Sequence, residues 1–166
     1  NLLGNLAPLL IVAVGLTVVL IARGIDLSVT SVIALPSVVG GMAMNGETGW
    51  LRGHPAAVPV GTLLMLTLGG LMGAGNGFAV TRLRMPPFMV TLTSMMFLSG
   101  LAIWLTQSRN IPGLPPAFTI LGGPVLISLP IAAAFAGVAH LMLSRSMFGR
   151  WLHAVGHNPR TAHVSG

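Results

Sequence analysis

Long apolar stretches without charged residues dominate the chain, and short segments rich in glycine, proline and arginine separate them. A helix needs about 20 mainly apolar residues to cross a bilayer. Five stretches reach or approach this length, and they cover residues 2–22, 29–44, 58–80, 88–106 and 124–143. The pattern predicts an all-α membrane helix bundle over residues 1–143, followed by a polar cytoplasmic segment at residues 144–166.

The second stretch leaves two interpretations open. Residues 29–44 are fewer than a bilayer requires, and they include Pro36. The stretch is therefore either a short transmembrane helix or a re-entrant segment that returns to the side from which it entered.

The arginines predict the orientation, because cytoplasmic loops of membrane proteins carry the excess of positive charge. With five spans, six arginines fall on one side and two on the other, namely Arg23, Arg82, Arg84, Arg145, Arg150 and Arg160 against Arg52 and Arg109. A re-entrant second stretch changes the split to five against three. Both topologies place residues 81–87 and 144–166 in the cytoplasm. The sharper bias favours five spans, with loops 45–57 and 107–123 outside.

Composition excludes most other classes of protein. The chain has 54% hydrophobic and 6% charged residues, whereas soluble domains are about 25% charged. The two acidic residues, Asp26 and Glu47, lie at opposite ends of an apolar stretch, so a catalytic carboxylate pair is not expected. The sequence contains no cysteine and none of the common phosphate-loop, nucleophile-elbow or zinc-protease motifs. We therefore predict that the chain is not an enzyme and has no cofactor or metal.

Small and polar residues inside the third stretch have two interpretations each. Gly69, Gly73 and Gly77 recur every fourth residue, which is typical of a close helix–helix seam and also fits a backbone lining of a translocation path. Asn76 needs hydrogen-bond partners in an apolar environment. It is predicted either to join two helices or to line the path.

Asp26 lies between Arg23 and Ser28 at the predicted inner boundary of the membrane. Its carboxylate suits helix capping, because it can accept hydrogen bonds from first-turn amides and favours the positive end of the helix dipole. A proton relay and a contact with a partner subunit are the alternatives.

The polar segment after the fifth stretch shows a helical pattern. Phe148, Leu152 and Val155 recur at the spacing i, i+4 and i+7. We predict a short amphipathic helix there, which either enters a groove of another protein or rests on lipid headgroups.

Three motifs together resemble a known family. Residues 24–31 are G-I-D-L-S-V-T-S, and residues 85–92 are M-P-P-F-M-V-T-L. The third motif combines F-G-R at 148–150, A-V-G-H-N at 154–158 and S-G at 165–166. Their order and spacing resemble permease subunits of ATP-binding cassette importers for ribose, xylose, galactose and related small solutes.

The resemblance implies a role for each motif. The first two motifs would be structural, through Gly24, Asp26, Ser28, Pro86, Pro87 and Phe88. The third would couple the permease to an ATPase, through Phe148, Gly149, Arg150, Ala154, Gly156 and Asn158. Independently of the resemblance, the polar residues Asn76, Thr91, Thr93 and Ser94 are candidates for lining the solute path, and they suit many hydroxylated solutes. The implied partners are a cytoplasmic ATP-binding subunit, a second permease subunit and a periplasmic or extracellular solute-binding protein, at a bacterial inner membrane.

The sequence also departs from the family pattern. Thr30 and His157 each replace a glycine, and Thr161 replaces an alanine. Family permeases are about twice as long, so we expect the chain to correspond to the first half of one. The alternatives are a truncated or split permease half without transport activity and an ion-coupled secondary carrier.

Overall fold

The structure is a computed structural model that describes residues 2–158 and residue 162, with side chains from Leu6 onward. The described residues form seven helices and no strand, which confirms the all-α prediction. The helices are α1 (Leu2–Ile21), α2 (Val29–Met44), α3 (Ala57–Thr81), α4 (Pro87–Thr106), α5 (Pro116–Gly122), α6 (Val125–Arg145) and α7 (Met147–His157).

Three of these helices, α3, α4 and α6, are long and apolar enough to cross a membrane, and the part Leu6–Ile21 of α1 and the whole of α2 are shorter apolar helices. Many large apolar side chains lie on the surface. Leu126 is 88% exposed and Leu71 is 69% exposed. Such a surface is stable in lipid, where exposed apolar groups meet hydrocarbon rather than water.

The helices group into two compact units. One unit consists of residues 1–25 and 120–166 and includes α1, α6 and α7; the other consists of residues 26–119 and includes α2, α3 and α4. Helix α5 crosses the boundary between the units. It was missed by the sequence analysis, which predicted a loop at 107–123, although Pro116 at its first position is a known signal for a helix start.

Helix α2 is the centre of the second unit and packs against both α3 and α4. Its Leu35 forms a buried core with Leu98 and Ala102 of α4. The helix continues through Pro36, which is itself buried. One side of α2 is thus fixed by side-chain packing against α4.

Two glycines bring α2 and α3 close together. A Cβ atom on Gly40 of α2 would lie 2.5 Å from the side chain of Met65 of α3. A Cβ atom on Gly61 of α3 would overlap the side chain of Met44 of α2, which is only 1% exposed. Each helix therefore inserts a methionine over a glycine of the other, and the two helices run antiparallel.

The predicted seam on α3 is only partly found within this chain. A Cβ atom on Gly69 would lie 3.9 Å from Val32 of α2, but nothing in the described chain lies within 4 Å of one on Gly73 or Gly77. The reason is geometric, since a row of residues spaced by four turns about 40° around the helix at each step. The row that begins at Gly61 has left the face toward α2 by Gly73. A seam at Gly73 and Gly77 stays a prediction.

The loops at the far ends of α2 and α4 meet each other. The backbone N–H of Gly46 donates to the carbonyl of Gly113 at 2.9 Å, and the amide of Asn45 donates to the carbonyl of Pro112 at 2.9 Å. These loops lie within 45–57 and 107–123, which the arginine pattern predicts on one side of the membrane. Helix α2 therefore ends on the same side of this unit as α4, and a full crossing of the membrane by residues 29–44 stays a prediction.

In the first unit, α1 packs against α6, and α7 contacts both. Small buried residues permit the approach, including Ala7, Ala132 and Ala139. Helix α7 is preceded by Ser146, whose hydroxyl accepts a hydrogen bond from the N–H of Gly149 at 3.2 Å. A serine in this position satisfies an amide that the first helical turn would otherwise leave unpaired.

Replacing Gly61 should destabilise the second unit, because a larger side chain would displace Met44 from its position between α2 and α3. We expect Gly61→Leu to lower the free energy of unfolding by about 1–3 kcal/mol. Thermal melting of the protein in detergent measures the change. Gly100→Leu on α4 is the control, and because nothing in the described chain lies within 4 Å of a Cβ atom at that position, its expected change is less than about 1 kcal/mol. Equal losses in the two variants would contradict the packing described.

Candidate functional site

A chain of hydrogen bonds joins the segment before α2 to α3 and α4. The Oδ1 atom of Asp26 accepts from the backbone N–H of Ser28 at 2.8 Å and from its hydroxyl at 2.6 Å. The Nδ2 atom of Asn76 on α3 donates to the Oγ atom of Ser28 at 2.9 Å. The hydroxyl of Ser94 on α4 donates to the Oδ1 atom of Asn76. We call these four residues the polar chain.

The polar chain lies within the helical layer rather than at its edge. Asn76 is five residues from the end of α3, and Ser94 is seven residues from the start of α4, which places both about 7–10 Å from those helix ends. Ser28 is fully buried, and its carbonyl accepts a bond from the hydroxyl of Ser31 at 2.7 Å. Helix α2 therefore begins at the level of Asn76 and Ser94, one to two turns inside the ends of α3 and α4. At this depth a polar group needs a partner from the protein.

The predicted capping role of Asp26 is wrong in detail. The residue that precedes α2 is Ser28, and the side chain of Ser28 makes no capping hydrogen bond. The Asp26 carboxylate instead accepts from Ser28 itself, in the local turn that aspartate commonly forms with the residue two positions later. The same oxygen that closes this turn also fixes the hydroxyl of Ser28.

A groove of about 710 Å³ lies between α3 and α4 beside the polar chain. Its lining combines apolar and polar side chains, which are Met85, Phe88, Met89, Val90, Leu92 and Phe97 with Ala79, Gly75, Asn76, Thr93 and Ser94. A mostly apolar groove with a few convergent polar groups is typical of small-molecule sites. The polar groups here are hydroxyls and an amide without a charge.

The predicted solute-path residues divide at this groove. Asn76 and Thr93 line it. Thr91 is only 5% exposed, and its hydroxyl donates to the carbonyl of Pro87 at 2.9 Å inside α4. Ser94, which the sequence analysis also named, lines the groove as well.

The second motif forms the start of α4 as expected. Pro86 precedes the helix and Pro87 is its first residue, where a missing N–H removes no helical hydrogen bond. Phe88 lines the groove. Of the first motif, Gly24 packs against the last turn of α1, where a Cβ atom would lie 2.9 Å from Val19. Thr30, which replaces a glycine of the family pattern, is exposed.

Helix α7 separates the predicted coupling residues onto two faces. Gly149 and Gly156 are buried, and a Cβ atom on either would overlap a backbone carbonyl, of Leu143 on α6 and of Ile21 on α1 respectively. The remaining coupling residues are exposed, namely Phe148, Arg150, Ala154 and Asn158. Only the second group can contact a partner without moving α7.

The exposed apolar face of α7 differs from the predicted one. Phe148, Trp151 and Val155 are 46%, 60% and 44% exposed and follow the spacing i, i+3 and i+7. Leu152, which the sequence analysis placed on this face, is only partly exposed. Trp151 was left out of the predicted face because helical spacing fits both choices, with either Leu152 or Trp151 between Phe148 and Val155. We call Phe148, Trp151 and Val155 the apolar face of α7.

Metal-binding side chains do not cluster in the part of the chain that the structure describes, which contains no group of three histidine or acidic residues. His153 contacts the carbonyl of Gly149 at 2.8 Å through its Nδ1 atom. The last part of the third motif, including Arg160, Thr161, Ser165 and Gly166, lies outside the described residues.

Comparison with known protein families shows which family the chain belongs to. Residues 1–166 match the sequence family described as the branched-chain amino acid transport system / permease component. The chain belongs to this family. Together with the apolar helices, membership makes it a multi-pass membrane protein.

Individual relatives are longer permeases. The autoinducer 2 import system permease protein LsrC of Yersinia enterocolitica is 35% identical over 165 residues, which are 95% of this chain and 43% of that protein. LsrC of Enterobacter sp. strain 638 is 33% identical over 162 residues, which are 95% of this chain and 45% of that protein. The chain thus spans less than half the length of these curated relatives. No solved structure matches.

Adding a methyl group at Gly156 should loosen α7, because it would collide with the rigid backbone of Ile21. We expect Gly156→Ala to speed tryptic cleavage after Arg145 and Arg150 by roughly tenfold in detergent, as the free energy of local opening falls. Gly137→Ala on α6 is the control, since nothing in the described chain lies near that position. If both variants are cleaved at the rate of the unaltered protein, Gly156 does not hold α7 on α1.

Proposed function

We propose that the chain forms part of the transmembrane permease subunit of an ATP-driven importer for a neutral, hydroxyl-bearing small solute such as a monosaccharide. The family match over residues 1–166 supports a permease. The observation that carries the choice of solute is the groove between α3 and α4, whose polar lining consists of uncharged hydroxyl and amide groups. Such groups pair with solute hydroxyls and offer no counter-charge to an ionic solute.

The names of the relatives supply a further candidate solute. LsrC is named as a permease of autoinducer 2 import in Yersinia enterocolitica and in Enterobacter sp. strain 638. We propose autoinducer 2 and the monosaccharides as the first solutes to test for this chain.

The proposed partners are a cytoplasmic ATP-binding subunit, a second permease subunit and an external solute-binding protein, at a bacterial inner membrane. The arginine pattern supports this arrangement, because it predicts α7 in the cytoplasm and loops 45–57 and 107–123 outside. The permease itself would hydrolyse no ATP. Closure of the ATP-binding subunits would move the docked segment and, through it, the membrane helices.

We propose that the apolar face of α7, together with Arg150 and Ala154, docks on the ATP-binding subunit. Phe148, Trp151 and Val155 form an unpartnered row on a helix that is anchored on its other side by two glycines. An exposed aromatic row on a rigid helix fits the helix-in-groove mode of recognition, with tryptophan as its energetic centre. Gly149 and Gly156 would contribute by holding α7 in place rather than by touching the partner.

Removing the hydroxyl of Thr93 should weaken solute recognition and leave the fold intact. Thr93 lines the groove, and its hydroxyl has no hydrogen-bond partner among the described residues. We expect Thr93→Val to raise the KM of uptake by about 3–10-fold, the effect of one hydrogen bond. Uptake of radiolabelled ribose and of autoinducer 2 is measured in host cells that lack the chromosomal gene and carry the variant.

Thr67→Val is the matched control, because Thr67 is an exposed residue of α3 whose hydroxyl bonds to the carbonyl of Leu64 outside the groove. We expect it to leave uptake unchanged. If restoring the unaltered gene restores uptake of neither solute, the proposed solute class is wrong. If Thr93→Val and Thr67→Val transport equally well, the groove is not on the path.

Truncating Trp151 should weaken binding of the ATP-binding subunit, because it removes the largest side chain of the apolar face. We expect Trp151→Ala to lower the affinity by at least roughly tenfold in a binding assay with purified subunits in detergent. Trp104→Ala is the control, since Trp104 is 72% exposed, against 60% for Trp151, and the arginine pattern predicts it near the outer side of the membrane. Unchanged affinity in Trp151→Ala, with weaker partition of α7 into lipid vesicles, would show instead that this face rests on the membrane.

A further inference from the structure

The hydrogen bonds of the polar chain can be donated in only one direction, toward the carboxylate of Asp26. The Oδ1 atom of Asp26 already accepts the backbone N–H of Ser28, so it acts as an acceptor for the hydroxyl of Ser28 as well. A serine hydroxyl has a single proton. Because that proton is given to Asp26, the Oγ atom of Ser28 can only accept from Asn76.

This requirement orients the amide of Asn76. The Nδ2 atom must face Ser28, at 2.9 Å, and the Oδ1 atom must therefore face Ser94 and accept its hydroxyl proton. Each donor and acceptor along the chain is thus determined in turn from the carboxylate. Without the carboxylate, the amide could rotate by half a turn and the hydroxyls could follow it.

The direction determines what the groove offers to a solute. Asn76 and Ser94 both line the groove. The second N–H of the Asn76 amide has no partner among the described residues, whereas the proton of Ser94 is used inside the chain. The groove therefore presents an N–H donor beside hydroxyl lone pairs, to which a solute hydroxyl can bind by accepting from Asn76 and donating to Ser94. A carboxylate group in the same place would have no proton to give to Ser94.

We propose that Asp26 is a positioning residue that fixes the direction of the polar chain, so that Asn76 and Ser94 recognise a hydroxyl group of the solute. Asp26 itself does not line the groove, and it acts through Ser28. The identity of the bound group rests on the proposed function. The direction of the chain does not rest on it and can be measured without any solute.

A mutant cycle in the purified protein tests the direction. Asn76→Asp creates a second carboxylate that must compete with Asp26 for the single proton of Ser28, so we expect the melting temperature to fall by about 4–10 °C. Adding Asp26→Asn removes the competitor. The proton of Ser28 can then go to the new carboxylate at position 76, and we expect about half of the lost melting temperature or more to return.

Two controls separate this effect from simple repulsion between charges. In a Ser28→Ala background no shared proton exists, so the rescue should shrink to less than about half its size. Asn76→Leu carries no charge, and Asp26→Asn should not rescue it. A rescue of the same size with and without Ser28, or rescue of Asn76→Leu, would overturn the inference.

Should Asn76→Asp yield no folded protein, the same comparison is made on the yield of monodisperse protein in size-exclusion chromatography. Recovery of that yield by Asp26→Asn supports the inference, and failure to recover it overturns the inference. The cycle contains no transport step. Its failure would leave the permease function standing, whereas loss of the expected uptake would leave the direction of the polar chain standing.

Discussion

The need to pair the carboxylate of Asp26 and the hydroxyl of Ser28 inside an apolar helix layer governs the second compact unit. Lipid offers no hydrogen bonds, so an unpaired amide or hydroxyl at membrane depth costs several kcal/mol. Helix α2 begins below the ends of α3 and α4, and this leaves Asp26 and Ser28 at such a depth. Asn76 and Ser94 complete their hydrogen bonds. The same four residues hold three helices together and furnish the polar side of the groove.

Glycine has two separate tasks in the chain. At Gly40 and Gly61 it makes room for a methionine of the neighbouring helix, so α2 and α3 approach closely. At Gly149 and Gly156 it lets α7 lie against backbone carbonyls of α6 and α1. The second task explains why two glycines occur in the proposed coupling segment although neither is exposed to a partner. They hold in place the helix whose other side carries Phe148, Trp151 and Val155.

The long helices could be predicted from the sequence because each is an uncharged stretch with clear ends, such as Pro86 and Pro87 before α4. The helix faces could not be predicted equally well. Gly69, Gly73 and Gly77 look equivalent in the sequence. Only Gly69 faces α2, because each step of four residues turns the row by about 40° around the helix. Asp26 and Asn76 were each singled out, and their connection was missed because Ser28 joins residues 48 positions apart. Such a contact depends on the register of α2 against α3, which no local pattern contains.

That register is the central claim, and cross-linking in membranes tests it most directly. The chain contains no cysteine, so introduced pairs report without background and leave the polar chain intact. Val32→Cys with Gly69→Cys should form a disulfide readily, because a Cβ atom at position 69 lies 3.9 Å from Val32. Val32→Cys with Gly73→Cys should form it far more slowly. Faster cross-linking of the second pair would mean that α2 sits in another register, away from the one that joins Ser28 to Asn76, and would contradict the account.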